Sequence, residues 1–364
     1  MIVKDITNCL ELLAPLSLQE SYDNSGLLVG SFQQKVTKAL LCLDATEAVV
    51  DEAIATGCNL IIAHHPVIFS GLKKLNGKNY IERVVMKAIK NDIAIYAIHT
   101  NLDNVINGVN KKIAEKLNLK STKILSPKKQ FLKKLVTYVP ASDLEKVKNA
   151  LFAAGAGNIG NYSDCSFSVL GTGTFKGNEN SNPTIGKQGK TESVHEYKIE
   201  TIFPSYLEYS LLNALKVSHP YEEVAYDIYN LENKWAETGS GIIGEVENAL
   251  NEEEFLNIIK QKLNVSVIRH TELLNKKIKK VAICGGSGSF LLQDAIQAGA
   301  DIFITADFKY HQFFDAERKI VIADIGHYES EQFTPEIIHQ HLSEKLPTFA
   351  TLFSKINTNP IKYF

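Results

Sequence analysis

The sequence carries no strong charge of either sign. With 39 basic against 41 acidic side chains the net charge is -2, so no global field draws the chain to nucleic acid or to an anionic membrane. Thiols are scarce. Cys9, Cys42, Cys58, Cys165 and Cys284 are odd in number, show no CxxC spacing and mostly sit in apolar runs such as LLCLD and VAICGG, which argues against disulfides and zinc knuckles and reads as reduced core cysteines. No apolar run reaches the length of a membrane helix, and MIVKDITNCLELLAP reads as an amphipathic helix closed by Pro15, without a cleavable signal pattern. A cytoplasmic protein is therefore expected. Also missing are Ser-His-Asp or Cys-His arrangements for nucleophilic catalysis. CGGSGSF at 284–290 has neither the GxGxxG fingerprint nor a P-loop lysine, so a tight structural turn leading into a helix is expected there, not a nucleotide cradle.

What the sequence does contain is organised around LIIAHHP at 60–66. Leu60, Ile61 and Ile62 run without alternation, as in a strand buried on both faces, and ligands in open α/β sheets gather at the carboxyl ends of strands. Neighbouring side chains on a regular strand point to opposite faces, so His64 and His65 are expected to share a site only where the strand breaks into a loop before Pro66. Two histidines capping a sheet edge would look the same on this stretch alone.

At 364 residues the chain is too long for one comfortable core, and two or three domains are expected. KALLCLD, the helix TEAVVDEAIATG and LIIAHHP form a βαβ unit, followed by the helix YIERVVMKAIKN, the strand IAIYAIHT and NLDN. Right-handed crossovers in a mainly parallel sheet would bring His64, His65, His99 and Asp103 to one edge. From about Ser126 the pattern becomes β-α-β-β-α-β, a small α+β domain interrupting a larger α/β unit. The third part weakly repeats the first: SGLLVG recurs as SGIIGE, and ATGCNLIIAHH as QAGADIFITAD, with Ala306 and Asp307 in place of the two histidines. The domains expected are thus 1–127, 128–233 and 234–364.

After the strand KIVIAD comes GHYESE, with His327 and Glu331 four residues apart, a spacing that stacks two side chains on one helix face. Such a pair is often just a solvated face; a place directly after a buried strand favours ligation. Three imidazoles and two carboxylates without a thiolate suit Zn, Mn, Fe or Co in open coordination and exceed one tetrahedral site. Two cations about 3.5 to 4 Å apart need a bridging carboxylate, for which Glu331 is the candidate. Asp307 is read as orienting a ligand imidazole; for His99 and His311 this role stands beside an ordinary hydrogen-bonded one. His219 is expected to pack or cap.

Together GLLVG, LIIAHHP, AIHTNLD, HPYEEVAYDIY, GSG, ADIFITADFKYH and DIGHYESE resemble, over nearly the whole chain, the GTP cyclohydrolase 1 type 2 homologue family. Its members are also described as dinuclear metal centre, NGG-interacting-factor-three-like hexameric proteins. The resemblance implies two divalent metals per subunit, with His65 and Asp103 on one ion, His64 and His327 on the other, and Glu331 bridging both. It also implies a homohexamer with metal sites facing an internal cavity, and, in the long form, a ferredoxin-like (PII-like) inserted domain. The expected activity is hydrolysis with Glu331 at the catalytic centre. GTP is a possible substrate, its phosphates contacting the metals or the loop with Lys73, Lys74 and Lys78. A phosphoesterase acting on another nucleotide, or a metal-holding regulatory or scaffold protein, are the alternatives.

Overall fold

The computed structural model describes residues 1–364. The chain divides into two compact units, Met1–Pro127 with Glu237–Phe364, and Lys128–Ala236. No helix is long and apolar enough to cross a membrane.

The first unit begins with α1 (Val3–Leu13), β1 (Gly26–Val29), β2 (Lys38–Asp44), α2 (Glu47–Thr56), β3 (Leu60–His65), α3 (Tyr80–Lys90), β4 (Ala94–Ala97), α4 (Thr100–Asp103), α5 (Val109–Lys116) and β5 (Lys120–Pro127). Local chemistry sets these boundaries. Thr46 Oγ1 accepts from the Val49 amide at the start of α2, and Gly57 closes that helix at φ 68°, a left-handed conformation glycine adopts without cost.

The second unit is β6 (Leu132–Pro140), α6 (Leu144–Ala153), β7 (Phe167–Lys176), β8 (Thr191–Pro204), α7 (Glu208–Ser218) and β9 (Tyr226–Asn230). Its strands form one antiparallel sheet in the order β7-β8-β6-β9. Leu135, Val139, Ile199 and Phe203 of the sheet bury against Val147 and Leu151 of α6 and Leu211 and Leu215 of α7. His219 is satisfied within this unit: Nε2 donates to the Tyr138 carbonyl oxygen at 2.9 Å and Nδ1 accepts from the Tyr221 amide at 3.1 Å.

The first unit resumes with β10 (Gly239–Asn251), α8 (Glu252–Lys262), β11 (Arg269–His270), β12 (Lys277–Ser287), α9 (Leu292–Gln297), β13 (Ile302–Ala306), β14 (Val321–Asp324), α10 (His327–Glu331), α11 (Thr334–Lys345) and β15 (Ala350–Phe353). It contains two sheets, β1-β4-β3-β2-β15 and β11-β14-β13-β12-β10-β5. Each has a parallel core, β15-β2-β3-β4 in one and β12-β13-β14 in the other. The outer strands β1, β10, β5 and β11 pair antiparallel, so the first sheet is mainly parallel, as expected, and the second is mixed. The halves are alike in their parallel cores and differ at their edges, since β1 flanks β4 whereas β10 flanks β12.

Period-two alternation explains the unbroken apolar strands. Leu60 and Ile62 face a core shared with α1, α5, α8, α11 and the second sheet. Ile61 and Ala63 face α2 and α3, and Phe303 with Ala282 faces α9. Both sheets are thus covered on both sides. The halves also exchange strands: β5 pairs with β10 (Ile124 with Ile242), and β15 pairs with β2 (Leu352 with Leu40).

Candidate metal centre

The ends of the parallel strands deliver the donors. β3 ends at His65, just before Pro66 as expected, but it stays regular to that point, with His65 in register with Asp44 of β2. The neighbouring strands make a break unnecessary. His64 Nδ1 donates to the Ile98 carbonyl oxygen at 2.8 Å, beyond the end of β4, and His65 Nδ1 lies 2.7 Å from Asp44 Oδ1 at the end of β2. The rings fan apart with centroids 5.0 Å from each other, and each turns Nε2 toward a different oxygen of Glu331.

Glu331 is 3% exposed and reaches the centre from α10 beside His327. Its Oε2 lies 2.9 Å from His65 Nε2 and 3.1 Å from His327 Nε2, which are 3.3 Å from each other. Its Oε1 lies 3.8 Å from His64 Nε2, which is 3.6 Å from Asp103 Oδ1. The donors come together in three groups: His64, Asp103 and Glu331; His65, His327 and Glu331; and His64, His65 and His99, of which the first two share Glu331. The resemblance implies His65 with Asp103 and His64 with His327; here the Ile98 carbonyl and the Asp44 carboxylate steer the two strand-end rings in opposite directions.

The first group fits a cation on its own evidence. A carbonyl oxygen can only accept, so Ile98 fixes the proton of a neutral His64 on Nδ1 and leaves a lone pair on Nε2. That Nε2 and Asp103 Oδ1 are buried without a hydrogen-bond partner, a costly arrangement unless something positive satisfies both. Their separation of 3.6 Å is too long for a hydrogen bond and close to the roughly 3.4 Å between two tetrahedral ligands each about 2.1 Å from zinc.

In the second group neighbouring carboxylates favour the charged form of both imidazoles. The His65 imidazole is raised to about 9: burial opposes the charge, but Asp44 and Glu331 outweigh it. His327 is raised to about 11, burial again being outweighed, by the Glu331 charge and by Asp307. Glu331 is held well below the usual carboxylate range, with burial opposed by His327, His64 and His65. Asp103 is pushed up to about 7, by burial first and then by Glu331. Imidazoles so raised must lose a proton to bind metal.

Space for the Glu331 carboxylate comes from the glycine pair of the CGGSGSF stretch. β12 runs on through Ser287, and only a short 3-10 turn at Ser289–Leu291 precedes α9. Gly286 has φ 62°, its amide donates to Ser330 Oγ at 2.9 Å, and a Cβ there would come within 2.3 Å of Glu331 Oε1. The turn is a cradle for a carboxylate side chain. The centre lines a cavity of about 690 Å³.

A model of Duf34/NIF3 (NGG1p interacting factor 3) matches residues 1–360. The chain belongs to the Duf34/NIF3 family. A protein named GTP cyclohydrolase 1 type 2 homolog from Halalkalibacterium halodurans is 40% identical over 358 residues, 97% of this chain and 96% of that protein. One of the same name from Bacillus subtilis is 39% identical over 370 residues, 99% and 98% of the two chains. The crystal structure of a Bacillus cereus protein related to NIF3 shares 39% identity and a TM-score of 0.87, over 100% of this chain and 99% of that one.

Around the donors of this Duf34/NIF3 chain stands a ring of orienting groups. Asp307, at φ 59°, directly follows β13 and its Oδ2 lies 2.7 Å from His327 Nδ1. The repeat thus places an acid in the second half where the first has His65. His99 Nδ1 lies 2.8 Å from the buried Asp23, and its ring stands 5.3 and 5.4 Å from those of His64 and His65. His311 instead packs against Tyr310 and Phe314. Asp23, Asp44 and Gly286 were not singled out from sequence. For Asp44 a signal existed, since KALLCLD ends in an acid on the strand adjoining LIIAHH. Thr358 had none; its hydroxyl reaches Asp44 Oδ2 at 2.6 Å from 314 residues away.

Proposed function

We propose that this protein is a metal-dependent hydrolase whose centre holds two divalent cations, Zn, Mn, Fe or Co, bridged by Glu331. The observation that carries the reading is the division of one buried carboxylate between two donor groups, one of which leaves His64 Nε2 and Asp103 Oδ1 without any other partner. His64 and Asp103 would hold one cation, His65 and His327 the other. Divalent cations so held supply Lewis acidity and activate water, the chemistry of hydrolysis. Asp44 and Asp307 hold the Nδ1 side of His65 and His327 and keep each Nε2 aimed inward. The cavity, lined by His65, Asp103, His327 and Glu331, leaves the centre accessible to a substrate.

The names of the relatives make GTP the first substrate to test. Metal-loaded protein and a Glu331→Gln variant of checked metal content are incubated with GTP and the products identified by mass spectrometry. Conversion to a dihydroneopterin triphosphate by the parent alone supports cyclohydrolase action. Glu331-dependent loss of phosphate supports a phosphoesterase instead. Intact GTP, together with intact nucleotide and phosphoester panels, overturns the hydrolase reading. The same reading includes a homohexamer, for which light scattering should give six times 40.4 kDa. It also takes the second unit, with its β-α-β-β-α-β order, as PII-like.

A further inference from the structure

The cavity beside the metal centre has a rim of aromatic rings that the chemistry of the donors does not require. Tyr22, Phe69, Tyr80 and Phe290 all line it and are 69%, 52%, 59% and 65% exposed. Four largely exposed rings around one concave site are not packing residues; such clusters mark ligand surfaces. They come from both sides of the cavity. Tyr22, Phe69 and Tyr80 belong to the first half of the unit, on the loop after α1, the loop after β3 and the start of α3. Phe290 stands on the short 3-10 turn that follows the glycine cradle of β12. Phe69 also meets the His99 ring edge-on, at 5.6 Å and 88°, which fixes its plane next to the donors.

Charge supplies the second constraint. The lining includes the carboxylates of Glu20, Asp44, Asp103 and Glu331 and no lysine or arginine. Lys73, Lys74 and Lys78, expected as phosphate contacts, lie outside it. The carboxylates already offset cations held at the centre, and with the N-terminus of α2 at Thr46 but no Arg or Lys in the lining, little positive charge remains for a triphosphate.

We infer that this cavity is a slot for a planar heteroaromatic ring and takes a nucleobase, nucleoside or monophosphate in preference to a nucleoside triphosphate. The ring stacks on the rim while its polar edge faces the centre. The inference rests on the hydrolase reading for the reaction that follows, and binding can be measured without turnover.

Isothermal titration of the full-length, metal-loaded protein with guanosine, adenosine, GMP, GTP and ribose 5-phosphate tests it. A nucleoside or GMP should bind at least as tightly as GTP. Phe290→Ala and Tyr80→Ala should each weaken the nucleoside roughly tenfold, within the range for loss of one stacking ring, and leave ribose 5-phosphate and metal content unchanged. Phe290→Tyr should retain affinity. The inference is overturned if no ring compound binds, if GTP binds tenfold tighter than its nucleoside, or if the ring variants change only the mass of the assembly. Nucleoside binding in a protein that leaves GTP and the nucleotide and phosphoester panels intact would remove the hydrolase reading and leave the slot standing.

Discussion

At the scale of single residues, the centre depends on where Glu331 can put its carboxylate. Gly286→Ala would place a Cβ 2.3 Å from Glu331 Oε1 on a backbone at φ 62°. We expect metal content, read by plasma mass spectrometry, to fall in this variant while its circular dichroism stays native. Full metal loading in Gly286→Ala would remove the cradle from the account. Asp44→Asn and Asp307→Asn leave the ligands in place but change what holds the His65 and His327 rings. Loss of such outer partners typically costs roughly 10- to 100-fold in metal affinity, and competition with a chelator measures it. The direction of the pH effect follows from the imidazoles. His65 and His327, raised to about 9 and about 11, are protonated in the metal-free protein at neutral pH. Their stabilisation is complete below the ordinary imidazole value and is lost as pH climbs through about 9 and then about 11. Chelated protein should therefore melt at a lower temperature at pH 9.5 than at pH 6.5, and metal binding near neutrality should release protons. Metal affinity that does not rise with pH would contradict this.

At the scale of elements, the site is a meeting of strand ends, each readable to a different degree. HHP and GHxxxE could be read because their ligands lie close in sequence, on one strand end and one helical turn. NLD could be read because an apolar strand precedes it. The apolar runs of β2, β3 and β13 also gave the α/β class, since a strand covered on both faces has no polar alternation. Asp44 and Asp23 escaped because their roles depend on register and on convergence of separate loops. How His64 and His65 share a site from a regular strand end depends on the neighbouring strands, where Ile98 and Asp44 turn the two rings. Caps were more legible. Gly57 closes α2 at φ 68°, so Gly57→Ala should cost about 1 kcal/mol and lower Tm by roughly 2–4 °C in a unit of this size. An unchanged Tm would show that the αL cap contributes nothing there.

At the scale of the molecule, the exchanged strands make the first unit indivisible. β5 completes the second sheet and β15 the first, so neither half can close its own sheet. A fragment of residues 1–119 should show no cooperative thermal transition, and a sigmoidal melt from it would contradict the point. The repeat between the halves was visible in sequence as SGLLVG with SGIIGE and LIIAHH with IFITAD, but the exchange was not, because edge pairing leaves no periodic mark on a strand. The exchange ties β3 and α10 into one unit, and their side chains meet at Glu331. The most direct test of that meeting is metal stoichiometry on purified protein, for the parent, His64→Ala, His327→Ala and Glu331→Gln. Two equivalents are expected in the parent, one in each histidine variant, and sharply weakened binding of both in Glu331→Gln. A single equivalent in the parent, or two that survive Glu331→Gln unchanged, would contradict a centre built around a shared carboxylate.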